Sequence, residues 1–295
     1  MIYDYIIIGA GPAGSTTAFS LQKSGANCLV LEKEPRLKEK ICGGLLTYSA
    51  LSNLSSVGIC PDELLELGAV KFQHFACFSG DESVIHSYHA GEYGIGTTRT
   101  VLDNWLLRKA LEQGAEVQYG INVQTFSEND GLYKIGDYLG KCLVFATGAR
   151  GYCPADGRKY LAGQTFGLSA QISGTTNLSP KYVRFWYINH KGEYFWCIPI
   201  RKGLWNIGIW FHNVPSSPAT VFQEYRKQFI DSAFFSYQYV LPLRGAFCGN
   251  VDLSSSLSNG CYGVGDFIGC NDSSTGEGLR YAIKSAIQFA ERKRG

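Results

Sequence analysis

Tyr3-Asp4-Tyr5-Ile6-Ile7-Ile8 runs directly into Gly9-Ala10-Gly11-Pro12-Ala13-Gly14, and this stretch decides the fold. The apolar run is too short for a helix and ends on a glycine turn, so it reads as a buried strand. Ala13, Thr17, Ala18 and Leu21 follow at helical spacing, and Ala26 to Leu31 is a second apolar strand that closes on Glu32. Strand, helix and strand make one βαβ unit. In that setting Gly9-x-Gly11-x-x-Gly14 has mechanical meaning. The first glycine permits the tight turn, the second lets the backbone approach a pyrophosphate, and the third lets helix and strand pack closely. The helix N-terminus faces the phosphates with its partial positive charge. Glu32, with Lys33 beside it, is placed to accept hydrogen bonds from an adenosine ribose. A dinucleotide site is the expectation.

Outward from this unit the signal is mixed. Between about 41 and 98, helical material at Leu45 to Leu54 gives way to alternating stretches at Val70 to Phe78 and Val84 to Tyr88, an excursion from the sheet. Leu102, Leu106 and Ala110 mark a helix ending near Gly114. Val117 to Tyr119, Ile121 to Phe126 (with Val123) and Leu132 to Ile135 read as short strands of a β-meander, and Cys142 to Ala146 as a buried strand ended by Thr147-Gly148. From about 152 to 250 the chain is aromatic and alternating. Tyr182 to Ile188, Tyr194 to Ile200 and Leu204 to Phe211 are separated by Asn189-His190-Lys191-Gly192 and Lys202-Gly203, which read as hairpin turns. A strand at Cys261 to Val264, a Gly265-Asp266 turn and a helix with the stripe Leu279, Ala282, Ile283, Ala286, Ile287 and Ala290 bring the end back onto the first unit. The fold class is α/β: a Rossmann-like domain of residues 1–151 and 250–295, with an inserted antiparallel β-sheet lobe of residues 152–249 for substrate.

Composition narrows the classes. The chain has 295 residues, 45% hydrophobic and 18% charged, with net charge +2, enough apolar material for a large core and too little charge for a disordered chain. No long Lys/Arg block supplies an electrostatic case for nucleic acid. No run of some 18 apolar residues spans a membrane, and the strand beginning beside Met1 carries no secretory pattern. The ten cysteines include no Cys-x-x-Cys pair, against zinc or iron-sulfur sites, and read as reduced thiols of a cytoplasmic protein. The five histidines show no metal spacing, and no Ser-His-Asp set is legible.

Gly263-Val264-Gly265-Asp266 followed by Thr275-Gly276-Glu277-Gly278-Leu279 resembles the second flavin motif of the glutathione-reductase-like FAD enzymes. The resemblance implies FAD as cofactor. It puts Asp266 on a ribityl hydroxyl and the helix N-terminus at Gly276, Gly278 and Leu279 beside the flavin N1/O2 edge, where charge accumulates on reduction. Arg99, followed by Asp103, is similar to that superfamily's arginine near the pyrophosphate.

The resemblance narrows to the geranylgeranyl reductase family within the p-hydroxybenzoate hydroxylase fold group. Lys40-Ile41-Cys42-Gly43-Gly44 resembles its K-x-C-G-G segment beside the isoalloxazine, and residues 265–278 align without a gap to its G-D-A-A-G-x-x-x-P-x-x-G-E-G pattern. Tyr194-x-Trp196-x-Ile198-Pro199 and Gly208 are similar to its Y-x-W-x-F-P and G-x-G. The chain departs from the family at Ile198, at Ser273 and at Trp210, which stands where the family has the second glycine, and it lacks the C-terminal extension of larger relatives. An indole facing the cavity would leave no room for a long polyprenyl chain.

The resemblance implies hydride transfer between flavin N5 and a carbon-carbon double bond of an apolar, aromatic or isoprenoid substrate, in either direction. Cys42 is a proton donor or shapes the flavin face, and Tyr194 and Trp196 line the cavity. No second GxGxxG offers a nicotinamide domain, so NAD(P)H docking transiently, a ferredoxin or a reduced flavin supplies electrons. Gly269, Gly276-Glu277-Gly278 and Ala146-Thr147-Gly148-Ala149-Arg150-Gly151 differ from the corresponding motifs of the aromatic hydroxylases. A flavin monooxygenase or halogenase stays open, because Tyr194-x-Trp196-x-Ile198-Pro199 matches the halogenase W-x-W-x-I-P except at its first position. A non-catalytic flavin-binding redox sensor is the third reading. The aromatics and the basic C-terminal helix permit weak peripheral membrane contact.

Overall fold

The computed structural model describes residues 1–149, 152–153, 158–159, 165–188, 192–248, 257, 259–272 and 275–293. The chain opens with β1 (Ile2–Ile8), α1 (Pro12–Gln22) and β2 (Cys28–Glu32), the βαβ unit read from the sequence. Next come β3 (Leu45–Leu46), α2 (Tyr48–Ser56), the one-turn α3 (Glu63–Glu66), β4 (Val70–Phe72), β5 (His74–Ser79), β6 (Glu82–Ser87) and β7 (Gly94–Gly96). Helix α4 (Arg99–Glu112) leads to β8 (Glu116–Tyr119), β9 (Ser127–Asn129), β10 (Leu132–Ile135) and β11 (Tyr138–Phe145). The small pair β12 (Tyr152–Cys153) and β13 (Arg158–Lys159) precedes β14 (Thr165–Thr176), β15 (Tyr182–Tyr187), β16 (Tyr194–Arg201) and β17 (Leu204–Phe211). Helix α5 (Pro218–Phe229), the long β18 (Phe234–Cys248), β19 (Cys261–Gly263), a 3-10 turn at Gly265–Phe267 and α6 (Leu279–Arg292) complete it.

The first sheet runs β8-β2-β1-β11-β10-β9, with β19 also on β11. Its centre is parallel, β1 lying between β2 and β11 with Ile7 opposite both Val30 and Val144. Such strands are covered on both faces and read as unbroken apolar runs. One face carries α1, α4 and α6, whose Ala18, Leu106 and Ile283 pack with Ile7, Val30 and Val144. All six residues of the α6 stripe are buried. The other face holds Ile6, Ile8, Leu29, Leu31, Phe145 and Phe267.

The second sheet runs β18-β14-β17-β16-β15-β5-β6, antiparallel except for β15 on β5. Period-two alternation divides its faces. Leu168, Ala170, Phe195, Cys197, Ile207 and Ile209 point to a core closed by Phe222 of α5. Trp196, Ile198 and Trp210 point the other way, toward the first lobe. A three-stranded sheet, β3-β7-β4, fills the join.

Several sequence expectations shift. Val117 to Tyr119 is no meander strand but the parallel edge partner of β2. Ile121 to Phe126 forms no strand, and the meander is β9-β10-β11. Val70 to Phe78 breaks at Gln73 into strands of two different sheets. The second sheet reaches outside 152–249 by recruiting the β5-β6 hairpin, β5 pairing with β15 on one side and with β6 on the other. The Lys202-Gly203 hairpin forms, whereas Asn189, His190, Lys191, Arg150, Gly151, Ser273 and Ser274 lie outside the described residues.

The small sheet and β16 meet at a point without side-chain space. A Cβ added to Gly96 would lie 1.8 Å from the Pro199 carbonyl oxygen. Gly96→Ala should therefore force the lobes apart and cost about 1–3 kcal/mol, read as a lower urea midpoint; an unchanged midpoint would mean that this join carries no stability.

Candidate functional site

The β1–α1 turn is shaped by closeness. Gly9 has φ +109°, and a Cβ on Gly14 would fall 1.9 Å from the Gly9 carbonyl oxygen. Gly11 is the N-cap of α1 and Pro12 follows in its first turn, so no side chain caps that N-terminus. Its amide groups form an anion-receiving surface. Glu32, 5% exposed, is tied to this turn: the Ala10 N–H donates to Oε2 at 2.9 Å and the Glu34 N–H to Oε1 at 3.0 Å. Lys33 is exposed at the same edge, and Val123 is buried with Ile8, Leu31 and Phe145.

Across the turn stands a charged cluster. Arg99 donates to Asp103 through Nε at 2.9 Å and Nη2 at 3.0 Å, and Lys40 Nζ lies 3.3 Å from the same fully buried carboxylate. Burial alone would lower the Arg99 pKa, but the Asp103 charge overrides it and raises it, with Cys42 contributing in the same sense. The ammonium of Lys40 also lies 3.5 Å from the place a Gly11 Cβ would take, so a cation sits over the glycine turn. Glu39 fixes the segment from below. Its carboxylate accepts from the N–H groups of Arg99 and Thr100 at the start of α4 and from Gln171 Nε2 of the second sheet, as a helix N-terminus favours.

The Cys42-Gly43-Gly44 corner is clamped next. Asn206, 2% exposed, donates through Nδ2 to the Cys42 carbonyl at 2.9 Å, while its Oδ1 accepts from Trp196 Nε1 at 2.7 Å and Ser169 Oγ at 3.1 Å. The Gly44 N–H donates to Cys42 Sγ at 3.4 Å. A Cβ on Gly43 would touch Ile198 at 3.0 Å, and Gly44, with φ +74°, passes so close to the Thr97 carbonyl that a Cβ would be 2.1 Å away.

The C-terminal turn closes the ring. Gly265 packs against Ala13 of α1, and its N–H donates to Ser285 Oγ. Asp266 Oδ1 and Thr147 Oγ1, the latter beside Gly148, are buried without a partner among the described residues. Burial holds the Asp266 carboxyl above the usual range, opposed by the Arg99 charge. Gly278 adjoins Asp266 as the N-cap of α6, again without a side-chain cap, and Leu279 is buried just inside that helix. Trp210 lies on Gly276, whose Cβ would be 3.1 Å from its ring, and Tyr194 Oη donates to the Thr275 carbonyl. The inner face of the second sheet thus rests on both loops at once. The groove offers uncapped helix N-termini for an anion, orphaned oxygens for hydroxyl groups and an aromatic wall for a planar ring.

The structure gathers Gly9 to Gly14, Glu32, Arg99, Cys42, Gly43, Thr147, Asp266, Gly276, Gly278, Tyr194 and Trp196 around this groove. Sequence reasoning missed Glu39 and Asn206, polar residues whose partners are distant in the chain. Among the described residues no cluster of three or more His, Cys, Asp or Glu is placed to hold a metal, and no helix is long and apolar enough to cross a membrane.

Residues 3–133 match the FAD binding domain family. Digeranylgeranylglycerophospholipid reductase 1 of Methanopyrus kandleri is 27% identical over 74% of this chain and 60% of its own length. A 1H-pyrrole-2-carbonyl-[peptidyl-carrier protein] brominase of Pseudoalteromonas luteoviolacea is 30% identical over 70% of this chain and 54% of its own. The chain therefore spans less than two thirds of the length of either. A geranylgeranyl bacteriochlorophyll reductase-like protein of Thermoplasma acidophilum shares the fold, with a TM-score of 0.81 at 20% identity over 99% of this chain and 78% of that one. Domain match and fold define the class that the chain resembles: flavoproteins with an FAD binding domain on this fold. Within it the chain is a relative of the geranylgeranyl-reductase-like flavoproteins, with flavin-dependent brominases also among its neighbours.

The raised Asp266 carboxyl has a stability consequence. In the folded state it keeps a proton that the unfolded chain releases, so its contribution turns against folding as pH rises from the ordinary Asp range through the raised value. Asp266→Asn should stabilise the FAD-free protein at pH 7, with the gain vanishing near about pH 4, and should weaken FAD binding about tenfold. Paired thermal melts and FAD titrations check both; unaltered FAD affinity would remove Asp266 from the site.

Proposed function

We propose that the protein holds FAD along this groove and works as a reductase of carbon-carbon double bonds in an apolar substrate. The glycine turn of Gly9, Gly11, Pro12, Ala13 and Gly14 receives the pyrophosphate, with Arg99 facing it. Glu32 holds the ribose, with Lys33 and Val123 at the adenosine end. Thr147, Gly148 and Asp266 meet the ribityl chain, and Cys42, Gly43, Gly276, Gly278 and Leu279 border the ring. The orphaned Asp266 Oδ1 and Thr147 Oγ1 call for hydroxyl donors, and the glycines, by their missing Cβ atoms, leave the backbone approachable. Residues 1–151 and 250–295 form the FAD-binding part and 152–249, joined by the β5-β6 hairpin, the substrate lobe.

Bound FAD supplies a hydride equivalent once reduced by NAD(P)H, a ferredoxin or a reduced flavin. The chain's own residues exclude water and fix geometry. Ile198 and Trp196 press on Gly43, Trp210 presses on Gly276, and Asn206 keeps the Cys42 carbonyl in place, so a substrate is held by packing in a dry aromatic setting. The uncapped N-terminus of α6 favours negative charge beside it. Cys42, whose sulfur accepts from the Gly44 N–H and faces Arg99, shapes the flavin face beside Gly43. The observation that carries this reading is the joint seating of the indole-bearing sheet face on both loops.

Halogenation is the second reading, favoured by the brominase relative and by Tyr194-x-Trp196-x-Ile198-Pro199. One experiment separates the two. FAD-loaded protein, reduced anaerobically, is offered citral, benzylideneacetone and geranylgeraniol, and separately pyrrole with bromide and oxygen. Reoxidation of the flavin with gain of two hydrogens by an alkene is the expected result; bromopyrrole formation without alkene reduction would replace the reductase by the halogenase.

A further inference from the structure

Asn206 lies on β17 opposite Ile198, on the sheet face turned to the first lobe, and its side chain can be arranged in one way. An indole N–H donates and cannot accept, so the atom that meets Trp196 Nε1 at 2.7 Å is the amide oxygen, which also takes Ser169 Oγ at 3.1 Å. Nδ2 is left for the Cys42 carbonyl, at 2.9 Å.

The consequence falls on the next amide. In a planar trans peptide the carbonyl and the N–H leave on opposite sides, and the described chain has no cis peptide bond. With the Cys42 carbonyl drawn to Asn206, the Gly43 N–H points to the far side of the corner, where no group among the described residues accepts it. The following residue differs: the Gly44 N–H donates to Cys42 Sγ, and its carbonyl accepts from the Thr97 N–H. Gly43 is covered where a Cβ would stand, with Ile198 at 3.0 Å and Trp196 Nε1 at 3.7 Å, yet the residue is only half-buried. The surface it leaves open is backbone.

We infer that Asn206 is a positioning residue: through the Cys42–Gly43 peptide it presents the Gly43 N–H to a carbonyl oxygen of the flavin ring and so raises the reduction potential of bound FAD. The inference rests on the reading of the groove as an FAD site with Cys42 and Gly43 at the ring. Reduction adds electron density to a flavin, and its ring carbonyl oxygens take a share. A fixed N–H donor stabilises that charge more than it stabilises the oxidised ring. A glycine peptide turns over readily, and the Asn206 bond, itself tied to Trp196 on the next strand, holds this one in place. A donor aimed at N5 would act in the opposite sense, because N5 gains a hydrogen on reduction and then donates.

The test is the midpoint potential of FAD-loaded protein, read from flavin and dye absorbance while both equilibrate with phenosafranine during anaerobic reduction. Wild type is compared with Asn206→Leu, which fills the space without a donor, and with Asn206→Ser, which stays polar but falls short of Cys42. Phe222→Leu loosens the core on the other face of the same sheet and controls for lost stability. Both Asn206 variants should shift the equilibrium with the dye about tenfold toward oxidised flavin, about 30 mV for two electrons, and Phe222→Leu should not. An unchanged potential in the Asn206 variants, a rise, or an equal fall in Phe222→Leu overturns the proposal. Loss of FAD from both Asn206 variants while Phe222→Leu stays loaded also overturns it, since one N–H is worth about tenfold in affinity and not the whole of it. A wild-type protein that takes up no FAD overturns the cofactor reading and this proposal together, whereas a loaded protein that fails the comparison overturns this proposal alone.

Discussion

Two indoles seated on glycines hold the site together. Trp196 needs Gly208 to be without a side chain, Ile198 needs the same of Gly43, and Trp210 needs it of Gly276. Through these contacts one sheet face fixes two loops, residues 42–44 and 275–278, that lie at opposite ends of the chain. Interiors packed to this closeness transmit shape rather than absorb it. The position of each loop, and of the groove between them, follows from the register of β16 on β17.

Polar groups complete what packing begins. Asn206 and Glu39 are side chains whose hydrogen-bonding capacity is spent on backbone and neighbouring side chains across the two lobes: Asn206 on the Cys42 carbonyl, Trp196 and Ser169, Glu39 on the start of α4 and Gln171. Side-chain amides and carboxylates satisfied in this way specify a single arrangement. Asp266, Thr147 and Trp210 contrast with them, since each carries a buried polar atom left unmatched among the described residues. The difference separates residues that build the groove from residues that await what enters it.

Much of this was legible in the sequence, and the remainder was hidden for physical reasons. The glycine turn with its flanking strands, and the α6 stripe, announce themselves because every signal is local. The Lys202-Gly203 hairpin does so too. Glu116 to Tyr119 is four residues long, and nothing in so short a run says whether its partner is β2 or the meander. Helix α5 buries only Phe222 among its twelve residues, so it has little stripe to read. The parallel pairing of β15 with β5 joins segments about a hundred residues apart, and local alternation is blind to such partners. Asn206 and Glu39 were missed for the same reason: a polar residue in an apolar strand or after a helix gives no sign of which distant backbone group it serves. Trp210, in contrast, stood out as a departure from the family pattern, and the structure puts it against Gly276.

The central claim is that FAD lies between the glycine turn and the indole-bearing sheet face. Titration of flavin-free protein with FAD, followed by flavin fluorescence, tests it most directly. An isoalloxazine stacked near Trp196 and Trp210 should lose most of its emission, with saturation at one FAD per chain. Binding that leaves the fluorescence of free FAD intact, or no binding at all, would contradict the account.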